Sequence, residues 1–356
     1  MQLSDLVHQS GEWLRGLGTD SDIVISTRIR LARNVAGYPF VSRLKPEQQA
    51  GLSQRLCESI VDDTVVPDCH YFDLKAASEI ERRLLVERHL ISKEHEDAAG
   101  DRGVAIRVNE AVSIMVNEED HLRIQVLHCG FELAETWRLT NEVDTALGDR
   151  VPYAYSERLG YLTACPTNVG TGMRASVMLH LPALELTKQI EKVFHAVAKI
   201  NLIVRGLYGE GTQASGNLYQ ISNQISLGKT EEEILAEIQG IIPEIVENER
   251  RARQFLLDRN RQQIEDRVWR AYGMLRHARI ISSGETIALL SHLRLGVHLA
   301  LLSNLDISAV NQLFVRTLPA HLQVLEGREL GPQVRDVARA TYIRECLAQA
   351  GHTGDQ

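Results

Sequence analysis

Between two apolar, alternating segments the chain carries the acidic run Val116-Asn117-Glu118-Glu119-Asp120-His121-Leu122-Arg123. Residues 104–108 and 111–116 before it, and 122–127 after it, are β-branched and alternate at period two, which predicts strands. The carboxylates therefore fall at the end of a sheet, with Arg123 close behind them. Acids and an arginine at such an edge suit a cationic substrate lying beside an anionic one.

Further arginines sit at other strand ends. Val24-Ile25-Ser26-Thr27-Arg28-Ile29-Arg30 is an apolar strand running into arginines at spacing two. Arg28 and Arg30 share a face if the segment stays extended. They could hold a polyphosphate, or simply face solvent on an edge strand. Residues 202–205 form a second such strand, ending in Arg205 and feeding the loop Gly206-Leu207-Tyr208-Gly209-Glu210-Gly211, where Glu210 is the only acid up to Gly216. Glycine this dense marks a loop to which a ligand can approach closely.

The stretch Cys165-Pro166-Thr167-Asn168-Val169-Gly170-Thr171-Gly172-Met173-Arg174-Ala175 formally contains GxGxxA. A dinucleotide fingerprint needs a buried strand before it and a helix after it. Here Cys-Pro-Thr-Asn precedes and a strand pattern follows over 175–181, so the match is rejected. The glycines instead read as a turn that delivers Arg174 to the start of a strand. Cys165 could be a nucleophile, a substrate contact or a packing residue. Gly228-Lys229-Thr230 resembles the tail of a phosphate-binding loop, but Asn223 stands where its first glycine belongs. Thr230 with Glu233 is instead a capping box. His89 and His95 lie six apart with no third ligand, a weak basis for a metal site.

Helical patterns are expected over 46–62, 78–89 (opened by Ser78 and Glu81), 131–147 and 183–199, with a charged loop over 93–103. From 231 to 279 the pattern is helical, interrupted at Pro243, and shorter helices follow over 285–302, 308–314 and 332–350. Strand signals end near residue 226, which predicts a second, all-helical domain. Within it Arg335 and Arg339 fall at i,i+4, one helix face, with Asp336 alongside.

A net charge of −8 argues against a general nucleic-acid binder and against attachment to an anionic membrane. Cys57, Cys69, Cys129, Cys165 and Cys346 are dispersed without paired spacing, as in a reducing cytosol. With neither a leader-like N-terminus nor an apolar run of spanning length, the chain is expected to be soluble and cytoplasmic.

Taken together, the motifs around Ser26–Arg30, Asn117–Arg123 and Cys165–Ala175 resemble, in order, the signatures of the phosphagen (guanidino) kinases. The resemblance spans roughly residues 22–230. It implies an α+β fold, a mainly antiparallel sheet flanked by helices, followed here by the all-helical domain. The expected division is 1–252 and 253–356. There is no room for the small N-terminal helical domain that selects a small guanidino substrate. The added helical domain contains Arg-Asp-x-x-Arg-Ala, as in the bacterial branch of the family that phosphorylates arginines in proteins.

The resemblance implies roles as well. Arg28, Arg30, Arg123, Arg174 and Arg205 would hold the ATP phosphates. Ser26, Thr27, Ile29, the segment Ala175-Ser176-Val177-Met178 and the loop Gly206-Leu207-Tyr208-Gly209 would lie around the nucleotide, with His89 against it. Glu119 and Glu210 would clamp the substrate guanidinium, with the Cys165 thiol beside it. Mg²⁺ would be held through the nucleotide phosphates. Arg335, Asp336, Arg339 and Ala340 would form a regulatory phosphoarginine pocket. The implied partners are proteins with exposed arginines, among them a heat-shock repressor, together with an activator protein, a Clp-type protease and a second copy of the chain.

Overall fold

The computed structural model describes residues 1–206 and 215–350. Among the described residues there are ten strands: β1 (Val24–Arg33), β2 (Cys69–Asp73), β3 (Gly103–Arg107), β4 (Val112–Val116), β5 (Leu122–Cys129), β6 (Tyr155–Ser156), β7 (Gly160–Tyr161), β8 (Met173–His180), β9 (Leu202–Gly206) and β10 (Leu218–Asn223). Eight of them form one sheet in the order β2-β3-β4-β5-β1-β8-β10-β9, antiparallel throughout, and β6 pairs with β7 separately. The α+β architecture is as expected.

β1 is a central strand rather than the solvent-facing edge that its arginines alone would allow. Its alternation sorts its side chains between two layers. Ile29 and Leu31, fully buried, face the helix Leu133–Gly148, which packs on β1 and β5. Arg33 shares that side and is bound there by Asp144 at 2.7 Å, beneath the ring of Tyr161. Arg28 and Arg30 emerge on the opposite face. The β4–β5 connection turns over five residues, Asn117 to His121. Asn117 takes positive φ (59°), a conformation asparagine tolerates better than most residues. Two side-chain bonds, to the carbonyls of Gln49 and Asp101, hold it.

Several expectations shift in detail. The 183–199 pattern divides into the helices Pro182–Leu186 and Ile190–Lys199, and part of the charged loop becomes the short helix Lys93–Asp97. Both predicted capping boxes form, at Ser78 and Thr230. The long helix Glu231–His277 passes through Pro243, and its departure from helical geometry comes at Asn260 (φ −135°). Buried Ile242, Ile245 and Val246 flank the proline and hold the helix to the sheet domain despite the lost hydrogen bond. A boundary between residues 252 and 253 falls inside this helix. On one side of it the Glu249 carboxylate accepts from the N–H groups of Ala183 and Leu184; on the other, Arg253 donates to the carbonyls of Asp22 and His180. Four helices follow among the described residues, Ser283–His298, Ile307–Arg316, Pro319–Leu325 and Pro332–Ala350. The five thiols are unpaired. Among the described residues no helix is long and apolar enough to cross a membrane.

Among the described residues four histidines are fully enclosed: His95, His121, His180 and His321. Burial holds each below the ordinary imidazole pKa, His95 at about 4. For two of them the partners also require neutrality. The Nδ1 of His121 accepts from Val35 N–H, and that of His180 accepts from Arg294. In the unfolded chain these groups protonate near pH 6.5, while in the folded chain they stay neutral. Their contribution is therefore complete above pH 6.5 and is lost as pH falls below it, at up to ~1.4 kcal/mol per pH unit for each imidazole. Urea titrations at pH 7.5, 6.5 and 5.5 should show a flat stability over the first interval and a steep fall over the second.

Candidate active site

The register of the central strands gathers the expected arginines. Arg30 lies opposite Arg174 on β8 and Gln125 on β5; Arg28 lies opposite Ser176; Ala32 lies opposite Arg123. Across β10, Gln220 pairs with both Met178 and Arg205. Paired residues of a sheet project to one side. Arg28, Arg30, Arg123, Arg174 and Arg205 consequently occupy a single face, although their positions span most of the sheet domain's sequence. Arg30, Arg123, Arg174 and Arg205 line a cleft of about 540 Å³ that also takes in Glu118, Glu119, Cys165 and Asn168.

Beside this cleft is a small recess lined by Trp13, Ser26, Arg28, His89, Ser176 and Met178, among others. His89, at φ 60°, meets the Trp13 ring edge-on at 5.1 Å, and burial together with Arg28 pushes its pKa down to about 3. Gln220 Oε1 accepts from Arg28 at 2.9 Å. The expectation narrows for Thr27, Ile29, Ala175 and Val177. They alternate to the other face and are fully buried there, so their side chains do not reach the cleft. Leu207, Tyr208, Gly209 and Glu210 lie outside the described residues.

The cluster is electrostatically incomplete. Arg28, Arg30 and Arg174 form no ion pair among the described residues. Burial first, then mutual repulsion, pushes Arg28 down to about 10, and Arg30 and Arg174 are lowered for the same reasons. Guanidinium groups held this close without carboxylates call for a polyanion, and their planar forks suit phosphate oxygens. Among the described residues only Arg123 is paired, to Glu118 at 2.8 Å and more loosely to Glu119 at 3.3 Å.

Each acid of the turn has a different environment. The Glu118 side chain is enclosed, whereas that of Glu119 is 43% exposed at the cleft wall. The Glu119 carboxyl is raised above the ordinary range, by partial burial first and by its acidic neighbours against the opposing pull of Arg123. That favours proton acceptance. Asp120 was not anticipated as a site residue, yet it ties the turn to the Cys165 segment. Its Oδ1 accepts from Ala164 N–H at 2.7 Å and from Asn34 at 2.5 Å. Asn34 also donates to Leu162 O and accepts from His121 N–H. This clip holds Cys165 in the wall that contains Glu119, and Cys165 Sγ lies 3.0 Å from Thr167 Oγ1. The only sequence signal for Asp120 was its place in the acidic run.

The expected phosphoarginine residues divide. Arg335 borders a second cleft, of about 730 Å³, with Arg82, Arg83, Arg102 and Lys93. Arg339 is 1% exposed: its Nε donates to Thr317 O and its Nη1 to Ile281 O, each at 2.8 Å, and it pairs with Asp336. Ala340 is fully buried. In this conformation Arg339 ties helices together, a part the sequence expectation did not include.

Comparison with known proteins places this geometry in context. The family model described as ATP:guanido phosphotransferase, C-terminal catalytic domain, matches residues 54–252. That described as protein-arginine kinase McsB C-terminal domain matches residues 261–356. A protein-arginine kinase from Moorella thermoacetica is 48% identical over 96% of this chain and 99% of its own length. One from Symbiobacterium thermophilum is 49% identical over 98% of this chain and 100% of its own. Among solved structures, the duplicated taurocyamine kinase of Schistosoma mansoni with bound transition-state analogue components superposes with TM-score 0.58 at 32% identity. The match covers 64% of this chain and 33% of that one. A lombricine kinase superposes with TM-score 0.57 at 25% identity, over 66% and 68%.

Proposed function

This chain belongs to the protein-arginine kinase family, and from that premise we propose that it transfers the γ-phosphate of ATP to the guanidinium of arginine side chains in other proteins. One observation carries the reading: five arginines from four strands meet on one face, most of them with no ion-pair partner among the described residues, while Glu119 and Cys165 stand in the same cleft wall.

A guanidinium keeps its proton at neutral pH and is a weak nucleophile. Glu119, with Glu210 as its proposed partner, orients the attacking nitrogen. Its carboxylate accepts the proton lost from that nitrogen as the N–P bond forms and the bond from phosphorus to the bridging oxygen of ADP breaks. Arg28, Arg30, Arg123, Arg174 and Arg205 position the triphosphate and stabilise charge on the transferred group. Ser26, Ser176, Met178 and His89 line the recess on the nucleotide side. Mg²⁺ carried on the phosphate oxygens would add charge neutralisation.

By family resemblance, the modified arginines would mark proteins for a Clp-type protease, and a heat-shock repressor would be among the substrates. An activator protein, a second copy of the chain and phosphoarginine acting at Arg335, Asp336, Arg339 and Ala340 would regulate the activity in the cytoplasm. The test is incubation with ATP and a mixed protein substrate, followed by mass spectrometry for acid-labile phosphate on arginine, with free arginine as a parallel acceptor. Label on protein arginines is the expected result. Label on free arginine alone would replace this reading with a small-guanidino kinase. Phosphoarginine binding without ATP consumption would replace it with a non-catalytic adaptor.

A further inference from the structure

Ser92 stands where the acidic turn meets the short helix Lys93–Asp97. Its Oγ accepts from His95 N–H at 3.0 Å, an ordinary N-cap bond. The same hydroxyl donates to Glu118 Oε1 at 2.5 Å. That carboxylate oxygen also receives Arg123 Nη1 at 2.8 Å, while Glu118 Oε2 is buried without a hydrogen-bond partner among the described residues. One oxygen thus serves two donors and its twin serves none.

A carboxylate held only by an arginine turns both oxygens toward the guanidinium fork, the geometry such pairs prefer. That arrangement would draw Arg123 down against Glu118 and away from the cleft. The Ser92 hydroxyl, as a second donor to Oε1, competes with that arrangement. Nη2 of Arg123 is left toward the cleft, where its contact with Glu119 is a loose 3.3 Å. The helix that Ser92 caps is the wall between the two clefts: Glu94 faces the first, Lys93 and Glu96 the second, and Ala98 borders both. The serine oxygen is therefore built into the rigid edge of the site rather than carried on a free loop.

We propose that Ser92 is a positioning residue for phosphoryl transfer, acting through Glu118 to present Arg123 to the nucleotide. This rests on the reading of the cleft as the ATP site. A helix cap and a positioning residue respond differently to substitution. S92T keeps both hydrogen bonds. S92A loses both. S92D keeps an efficient cap but sets a second carboxylate against Glu118.

The full-length variants are compared by ATP titration, by steady-state kinetics with a protein substrate and by thermal midpoint. S92T should stay near wild type. S92A should raise KM for ATP by about tenfold, the scale of one charge-assisted contact, with a smaller change in kcat. S92D should bind ATP more weakly than S92A even where its thermal midpoint matches wild type. Wild-type ATP affinity in both S92A and S92D overturns the proposal, as does a loss that follows the thermal midpoint alone. If S92D does not fold, the comparison of S92A with S92T decides on the same criteria. Failure of the wild-type chain to bind ATP overturns the nucleotide reading, and this proposal with it.

Discussion

Glu119→Ala should fold normally and lose phosphoryl transfer by roughly 10²–10⁴-fold, the range for removing a positioned general base. The Glu119 side chain is 43% exposed and its single ion pair, with Arg123, is long, so its loss should change stability by no more than about 0.5 kcal/mol. Glu119→Gln preserves shape and removes proton acceptance, and it should be nearly as inactive. Because partial burial raises this carboxyl above the ordinary range, the acid limb of the wild-type rate profile should have its midpoint above the usual glutamate value. Activity should disappear as pH falls through that midpoint. Phosphoarginine formation in single-turnover mixtures measures both effects. Turnover by Glu119→Gln within tenfold of wild type would eliminate the proposed base.

Arg294→Ala should be the most destabilising of the changes considered, by roughly 3–5 kcal/mol, the range for stripping one member from a buried polar cluster. Arg294 lies on the helix Ser283–His298 and is fully buried, which lowers its pKa to about 9. Its guanidinium donates to Ser21 O, Asp22 O, His180 Nδ1 and the Asn311 side chain. Truncation strips that donor from Ser21 O, His180 Nδ1 and Asn311 Oδ1 in a dry environment, while Asp22 O keeps Arg253. Urea unfolding should show a clearly lowered midpoint for Arg294→Ala, whereas Arg251→Ala, on an exposed helix surface, should remain within experimental error of wild type. Equal midpoints would mean that water replaces the guanidinium.

The acidic turn, the arginine strands and the Gly-bounded Cys165 segment were legible because each concentrates unusual chemistry within a few residues. Period-two alternation correctly put Arg28 and Arg30 on one face. What local pattern could not supply was the neighbour of each strand. β1 lies between β5 and β8, separated from them by more than 80 residues, and nothing in residues 24–33 says whether that strand is central or peripheral. Asp120 and Ser92 were missed because an aspartate among acids, or a serine before a helix, has an ordinary local explanation. Their roles arise from partners elsewhere, Ala164 and Glu118. β2 and the helix Pro319–Leu325 were also missed, being short and without sustained periodicity. Pro243 misled in the other direction, because tertiary packing of its apolar neighbours outweighs one lost backbone bond. Thr27, Ile29, Ala175 and Val177 were included with adjacent motif residues, although alternation itself assigns them to the other face.

The long helix Glu231–His277 and the arginines at 253 and 294 make the enzyme hard to divide. Exchanging helical halves between relatives at residue 252 would part Arg253 and Arg294 from the His180 ring and from the backbone corner at residues 21–22 whose carbonyls they meet in this chain. A workable chimera would have to carry that strand-entry corner along with the graft.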